Sequence, residues 1–358
     1  MIQRLDALRA HFSERHADAA ILTFLPDIRW ACGFSGSNGL LLVTQQDAHF
    51  ITDGRYTEQA GREVAGAAVH IAEKGLFDAL ASRSLLAGVG RVIIQSDHLT
   101  LDAFDDLQEA FPDVEWAPAK GLLKKDVAVK AKAEIDAMQR AQDVTDAVFD
   151  ELLGVIRPGM TELEVAAEIV YRHMRRGASG MSFDPIVAAG PNGALPHARP
   201  TDRRLAPGDL VVLDFGCFVD GYASDMTRTI AIGEPDPEAV KVYHIVLDAH
   251  LKALDAARAG MSGKALDAVA RTLIADAGYG PLFSHSLGHG VGLQIHEWPS
   301  VSFRTEDELP AGVVITIEPG IYVPGRFGVR IEDMALLEAH GARSMAHSPK
   351  ELIQLGNA

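Results

Sequence analysis

Cysteine is nearly missing from this chain: Cys32 and Cys217 are the only two. So few, so far apart, support neither a disulfide framework nor a zinc knuckle, and two buried thiols are the expectation. No apolar run approaches the ~18 uninterrupted residues that a membrane-spanning helix needs, so no membrane partner is expected. Residues 1–10 carry mixed charge and lack the apolar stretch and small-residue cleavage site of a secretory signal. The expected location is the cytoplasm. Positive charge is also in deficit, with 33 Lys and Arg against 49 Asp and Glu and a formal net charge of -16. That balance opposes a phosphate backbone and gives counterion release little to work with, so nucleic acid is not an expected partner.

What is present is ample material for a core. The chain has 358 residues, 47% of them apolar, which is long enough for two domains. The first third reads as a small α/β unit. Ala19–Phe24 and Arg91–Gln95 have the composition of buried strands, and Leu40–Asp53 splits into two strand-like runs around Gln45-Gln46-Asp47. Helical patterns cover Thr57–Ala67 and Leu101–Ala110, and nothing in this third has metal-ligand spacing. The charged segment Lys120–Lys132 then leads into a long helical pattern from Val129 to Ile156. The expected division is near Gly121, giving domains 1–121 and 122–358.

The second part carries an internal duplication. Arg157-Pro158-Gly159-Met160-Thr161 opens an amphipathic helix, with Thr161 and Glu164 in capping-box spacing, and Arg258-Ala259-Gly260-Met261-Ser262 opens another 101 residues later. Downstream, Leu205-Ala206-Pro207-Gly208 precedes the apolar run Leu210–Leu213 ending in Asp214, while Leu309-Pro310-Ala311-Gly312 precedes Val313–Ile317 ending in Glu318. One helix-plus-strand unit used twice predicts packing about a pseudo-twofold axis, with the acidic strand ends near it.

An Asp at a strand end is ordinarily a turn former or helix cap. Here the strand leaving Asp214 reaches the hairpin signal Val219-Asp220-Gly221 and returns through Tyr222-Ala223-Ser224 to Asp225. Counting from the turn predicts Asp214 and Asp225 nearly opposite, at cross-strand pair distance. The second copy repeats the device: Glu318 runs to Pro324-Gly325-Arg326 and returns through Gly328-Val329-Arg330-Ile331 to Glu332. Four carboxylates converging in an apolar centre are costly unless cations neutralise them or some hold protons. A shared-proton dyad accounts for one pair; two pairs related by a repeat fit a two-metal site better. A histidine should complete the set, and His285, His289 and His296 are the candidates, with His289 set between glycines that permit close backbone approach. The order of those glycines fits neither a P-loop nor a dinucleotide fingerprint, and the histidine spacing is not that of a zincin helix.

Leu213-Asp214-Phe215-Gly216, Gly221-Tyr222-Ala223-Ser224-Asp225-Met226-Thr227-Arg228-Thr229, Gly288-His289-Gly290 with His296-Glu297, Ile317-Glu318-Pro319-Gly320 and Val329-Arg330-Ile331-Glu332-Asp333 together resemble the Xaa-Pro peptidases. This is the aminopeptidase P and prolidase branch of the methionine aminopeptidase and creatinase superfamily, and the resemblance covers nearly the whole chain. It implies an α+β architecture: a pita-bread catalytic domain with an internal pseudo-twofold repeat, preceded by a small α/β creatinase-like domain that narrows the entrance and helps to form a homodimer.

By the same resemblance, Asp214 chelates one metal, Asp225 and Glu332 bridge both, and His289 with Glu318 completes the other. Glu318 is then the general base, His296 and His197 hydrogen-bond the intermediate and the departing proline, and His285, Arg330 and Tyr222 line the substrate side. An oxygen-rich ligand set suits Mn(II) first, with Co(II) also supporting activity and Zn(II) able to bind. The implied substrate is a peptide with proline at its second position. Many prolidases read a dipeptide's carboxylate with an arginine just after the His-Glu-aromatic-Pro run; here His296-Glu297-Trp298-Pro299 is followed by Ser300. That expectation favours an aminopeptidase over a dipeptidase, unless Arg199 or Arg203 serves instead. The same fold also hosts binding modules without metal ligands, and metal-free creatinase, both disfavoured by an intact ligand set.

Overall fold

The computed structural model describes residues 2–356, and the chain divides into two compact units, Met1–Val127 and Ala128–Ala358. The charged segment Lys120–Lys132 contains this division.

The first unit is built on a six-stranded mixed sheet. Its strands run in the order Ala68–Ala72, Ala48–Asp53, Leu40–Thr44, Ala19–Leu22, Arg91–Gln95, Glu115–Ala119. The central strands are apolar at consecutive positions because both faces are covered, as the full burial of Ala19–Leu22 requires. Ile21, Leu42, Ile51, Val92 and Ile94 form the core on one face together with Leu80 and Leu107 from the helices Leu76–Ser82 and Leu101–Ala110.

In the second unit the duplication is visible bond by bond. Thr161 Oγ1 accepts from Glu164 N at 3.1 Å while Glu164 Oε2 accepts from Thr161 N at 2.8 Å, closing a capping box on the helix Glu162–Arg175. Its counterpart, the helix Gly263–Asp276, is capped by Ser262 Oγ, which accepts from Ala265 N at 3.1 Å. Gly159 N and Leu205 N donate to Leu205 O and Met160 O, both at 2.8 Å. Gly260 N and Leu309 N repeat the pattern on Leu309 O and Met261 O at 2.9 and 2.8 Å.

Each copy has its own three antiparallel strands: Ile186–Ala189, Leu210–Phe215 and Met226–Ile232 in the first, Gly288–Gly290, Val314–Ile317 and Asp333–Glu338 in the second. Each sheet is covered by two helices. Val148, Phe149, Val165 and Ile169 from the helices Lys132–Leu153 and Glu162–Arg175 pack on Val211, Leu213 and Ile230. Val242, Val246, Leu266 and Ala270 from the helices Pro237–Ala256 and Gly263–Asp276 pack on Ile315, Ile317 and Ala335.

The two hairpins differ in register, which corrects one expectation. Val219 pairs with Tyr222 across a two-residue turn in which Asp220 and Gly221 have φ of 50 and 77°, the left-handed pair a type I′ turn demands. A ladder centred there pairs Asp214 with Thr227, so Asp225 is not opposite Asp214 but two pairs further towards the turn. The offset of two keeps both carboxylates on one face, as diagonal neighbours. In the second hairpin Gly320 pairs with Arg330 and Ile317 with Asp333, which brackets Glu318 and Glu332 as directly opposed.

Candidate metal centre

The acidic strand ends meet in one cavity of about 480 Å3. Asp214, Asp225, His289, Glu318 and Glu332 all line it, as do His197, His285, His296 and Arg330. One ligand atom each from Asp225, His289 and Glu332 lies within 4.8 Å of the others. His289 Nε2 is 3.4 Å from Glu318 Oε1 and 3.7 Å from Asp225 Oδ2. Its other ring nitrogen, Nδ1, donates to Gly290 O at 3.0 Å, which fixes the tautomer and turns the Nε2 lone pair towards the carboxylates. The glycine before it is needed: a Cβ on Gly288 would stand 2.0 Å from Thr316 O.

Asp214 completes the cluster from the first copy. Arg330 Nη2 donates to its Oδ2 at 2.5 Å, while Oδ1 is buried and has no hydrogen-bond partner among the described residues. A buried, unpartnered carboxylate oxygen is costly unless something not in the chain coordinates it. The donor set fits divalent cations: four carboxylates and one imidazole, all aimed at one space.

Electrostatics agree. Burial, then the charges of Asp214 and Glu318, hold the Asp225 carboxyl well above its usual range. Burial, with Asp225, Glu318 and Asp214, does the same to Glu332. Burial, reinforced by Asp214 and opposed by Arg330, pushes Glu318 up to about 8. Such carboxyls keep protons until a cation replaces them. The histidines move the other way: burial lowers His289 and His285 to about 4, and lowers His296 as well. They are therefore neutral near pH 7, each with one N–H to donate.

Several supporting groups escape sequence reasoning. Thr227 Oγ1 donates to Glu332 Oε2 at 2.6 Å and accepts from Arg330 Nε at 3.0 Å. Thr316 Oγ1 donates to Glu318 Oε1 at 3.1 Å and accepts from His289 N at 3.0 Å. Both threonines carry a local signal, since Thr316 sits two residues before Glu318 and Thr227 two residues after Asp225, each at the same-face spacing of a strand. Tyr322 OH accepts from Arg330 Nη1 at 2.8 Å and donates to His285 Nε2 at 2.8 Å.

Two expected substrate contacts change. Tyr222 is not among the residues lining the cavity; its hydroxyl donates to Glu134 Oε1, and its ring packs beside Met138, Val291 and Met334. Arg330 does line the cavity, but it is 3% exposed and its guanidinium is spent on Asp214, Thr227, Tyr322 and Pro196 O. It holds a candidate ligand in place rather than reaching outward. Of the two alternative cations, Arg203 is tied to Asp209 by two bonds of 2.8 Å, whereas Arg199 lines the cavity and has no ion-pair partner among the described residues.

Comparison of the sequence and the fold with known proteins gives a family match. The profile of metallopeptidase family M24 matches residues 136–339, and that of the creatinase/prolidase N-terminal domain matches residues 4–126. The chain is 34% identical to a Xaa-Pro dipeptidase of Pyrococcus horikoshii, over 99% of this chain and 99% of that relative. Among solved structures, it is similar to a Xaa-Pro dipeptidase from Bacillus anthracis, with a TM-score of 0.96, 39% identity and 99% of each chain covered. It is also similar to an X-Pro aminopeptidase from Thermotoga maritima, with a TM-score of 0.90, 36% identity, and 96% of this chain and 99% of that one covered.

Proposed function

The chain belongs to metallopeptidase family M24 and has its pita-bread fold behind a creatinase-type N-terminal domain, and from that membership we propose that it hydrolyses the bond before a proline at the second position of peptides with a free N-terminus. The observation that carries this reading is the convergence of Asp214, Asp225, His289, Glu318 and Glu332 in one cavity, on a chain similar along its length to Xaa-Pro peptidases.

In this reading the five residues would hold two divalent cations, with Mn(II) preferred over Co(II) or Zn(II). When bound, such ions supply a water of lowered pKa and polarise the scissile carbonyl. The chain's own residues do the rest. Glu318 takes the proton of the attacking water. His296 and His197 donate hydrogen bonds to the developing oxyanion and to the departing proline nitrogen. That nitrogen has no hydrogen in the peptide, so strand-like recognition by backbone hydrogen bonds is denied to it, and anchoring through the free amine and the carbonyl takes over. The homodimer belongs to this reading through the resemblance, and a cytoplasmic location is proposed with it; light scattering tests the first and cell fractionation the second. No helix among the described residues is long and apolar enough to cross a membrane.

On substrate length, one observation favours a dipeptidase over the aminopeptidase suggested by Ser300. Arg199 offers the cavity an uncommitted cation, and a free dipeptide brings a carboxylate that needs one. Both names occur among the similar proteins. Hydrolysis of Ala-Pro and Ala-Pro-Ala by the Mn(II)-loaded protein tests the choice: preferential cleavage of the dipeptide supports the Arg199 reading, and efficient cleavage of the tripeptide restores the aminopeptidase. Failure on both, with metal bound, sinks the peptidase reading.

A further inference from the structure

The roles above leave unused a buried ion pair beside the cavity. Lys130 Nζ lies 2.7 Å from Glu297 Oε2, with the two side chains only 1% and 5% exposed. So far from water, attraction barely offsets the desolvation of both charges, and stability alone explains such a pair poorly.

Its connections explain it better. Lys130 N donates to Gly312 O at 2.8 Å, and Val129 bridges Val313, so the lysine is rooted where the strand leading to Glu318 begins. The second oxygen of Glu297, Oε1, accepts from Gln294 N at 3.0 Å, and Gly292 N donates to Gln294 O at 3.0 Å. These bonds close the turn 292–297 over the lysine ammonium. A Cβ at Gly292 would lie 2.5 Å from Glu297 Oε2 and 2.8 Å from Lys130 Nζ, so glycine at the start of the turn leaves the pair its present place.

His296 is the residue before Glu297. Its ring lines the cavity and lies 4.4 Å, centroid to centroid, from that of His289. No hydrogen bond holds the His296 side chain among the described residues, so the backbone beneath it decides where the ring stands.

We propose that Lys130 and Glu297 are positioning residues for peptide cleavage: their buried ion pair pins the 292–297 turn to the strand that carries Glu318 and thereby holds His296 at its working distance from the metal-ligand cluster. The inference rests on the reading that His296 hydrogen-bonds the reacting peptide.

A double-mutant cycle on the full-length, Mn(II)-loaded protein tests it, with Lys130→Met, His296→Ala, the double variant and the wild type assayed on a Xaa-Pro peptide. Misplacement of one donor predicts that Lys130→Met lowers kcat roughly 10- to 100-fold, with KM held within about twofold and the metal content of the wild type retained. Once His296 is absent, Lys130→Met should cost almost nothing more. Gly292→Ala gives a second cycle that keeps both charged side chains in the protein while its methyl displaces them from their present contact; it is read alone if Lys130→Met does not fold, and the same collapse of additivity is expected. Losses that multiply in the cycle overturn the inference and leave the functional reading standing. A His296→Ala variant with full activity, or an inactive metal-loaded wild type, overturns both.

Discussion

Arg330 grips one oxygen of Asp214 at 2.5 Å and leaves the other, Oδ1, buried and without a hydrogen-bond partner among the described residues. The guanidinium thus aims a carboxylate that the second copy of the repeat does not otherwise reach. Its further bonds to Thr227, Tyr322 and Pro196 O fix its plane, and a lysine ammonium cannot reproduce that fork. Arg330→Lys is therefore expected to weaken metal binding by roughly 10- to 100-fold, the usual effect of losing a ligand's supporting partner. Competition with a chelator of known affinity measures it; an unchanged affinity, in a variant with native circular dichroism, contradicts the assignment.

Glu318→Gln keeps the shape of the side chain and its bond from Thr316 but removes the proton acceptor. Turnover should fall by roughly 10²- to 10⁴-fold, the range of a lost general base. Metal analysis must accompany the assay, because only a variant that still binds metal and still loses kcat isolates the proton-transfer role. Retained activity sinks that role.

The carboxyl cluster predicts a pH signature for the metal-free protein. Asp225, Glu318 and Glu332 have folded-state pKa values raised above those of the unfolded chain. The stability they contribute is complete below the unfolded carboxylate range and is lost as pH rises through the folded values, that of Glu318 being about 8. His285 and His289, lowered to about 4, act in the opposite sense, but only up to the ordinary histidine pKa of about 6.5. Between about pH 6.5 and pH 8 the carboxyls stand alone. Tm of chelator-treated protein should fall across that window, Mn(II) should restore it more at the upper end, and Glu318→Gln should flatten the slope. A metal-free Tm that rises across the window is the contrary result.

Arg199→Ala tests the anion contact. Loss of a charge-assisted hydrogen bond raises KM for a Xaa-Pro dipeptide by about 10- to 100-fold, while a tripeptide, whose carboxylate lies one residue further on, is little changed. Equal effects on both substrates would show that Arg199 does not read the carboxylate.

Much of this site is legible in the sequence because its marks are local. The paired openings at Thr161 and Ser262 and the two turns at Asp220-Gly221 and Pro324-Gly325-Arg326 are chain-neighbour signals, and the repeat they outline brings the acidic strand ends together. The register of the first hairpin is harder to read, since one miscounted turn residue shifts each partner and Asp214 ends opposite Thr227 instead of beside Asp225. Contacts between distant segments leave no local mark. Nothing in the neighbours of Tyr222 signals that its hydroxyl is claimed by Glu134, and nothing beside Lys130 announces Glu297. Arg199 and Arg203 look alike in sequence until Asp209 is seen to take only the second.

The most direct test of a two-metal Xaa-Pro peptidase is activity measured against metal added. Metal-free protein titrated with Mn(II) and assayed on an Ala-Pro peptide should gain activity until about two equivalents per chain are bound, as a two-metal site requires, with no cleavage of the matching peptide that has alanine in place of proline. Full activity without metal, or none with both equivalents bound, would contradict the account.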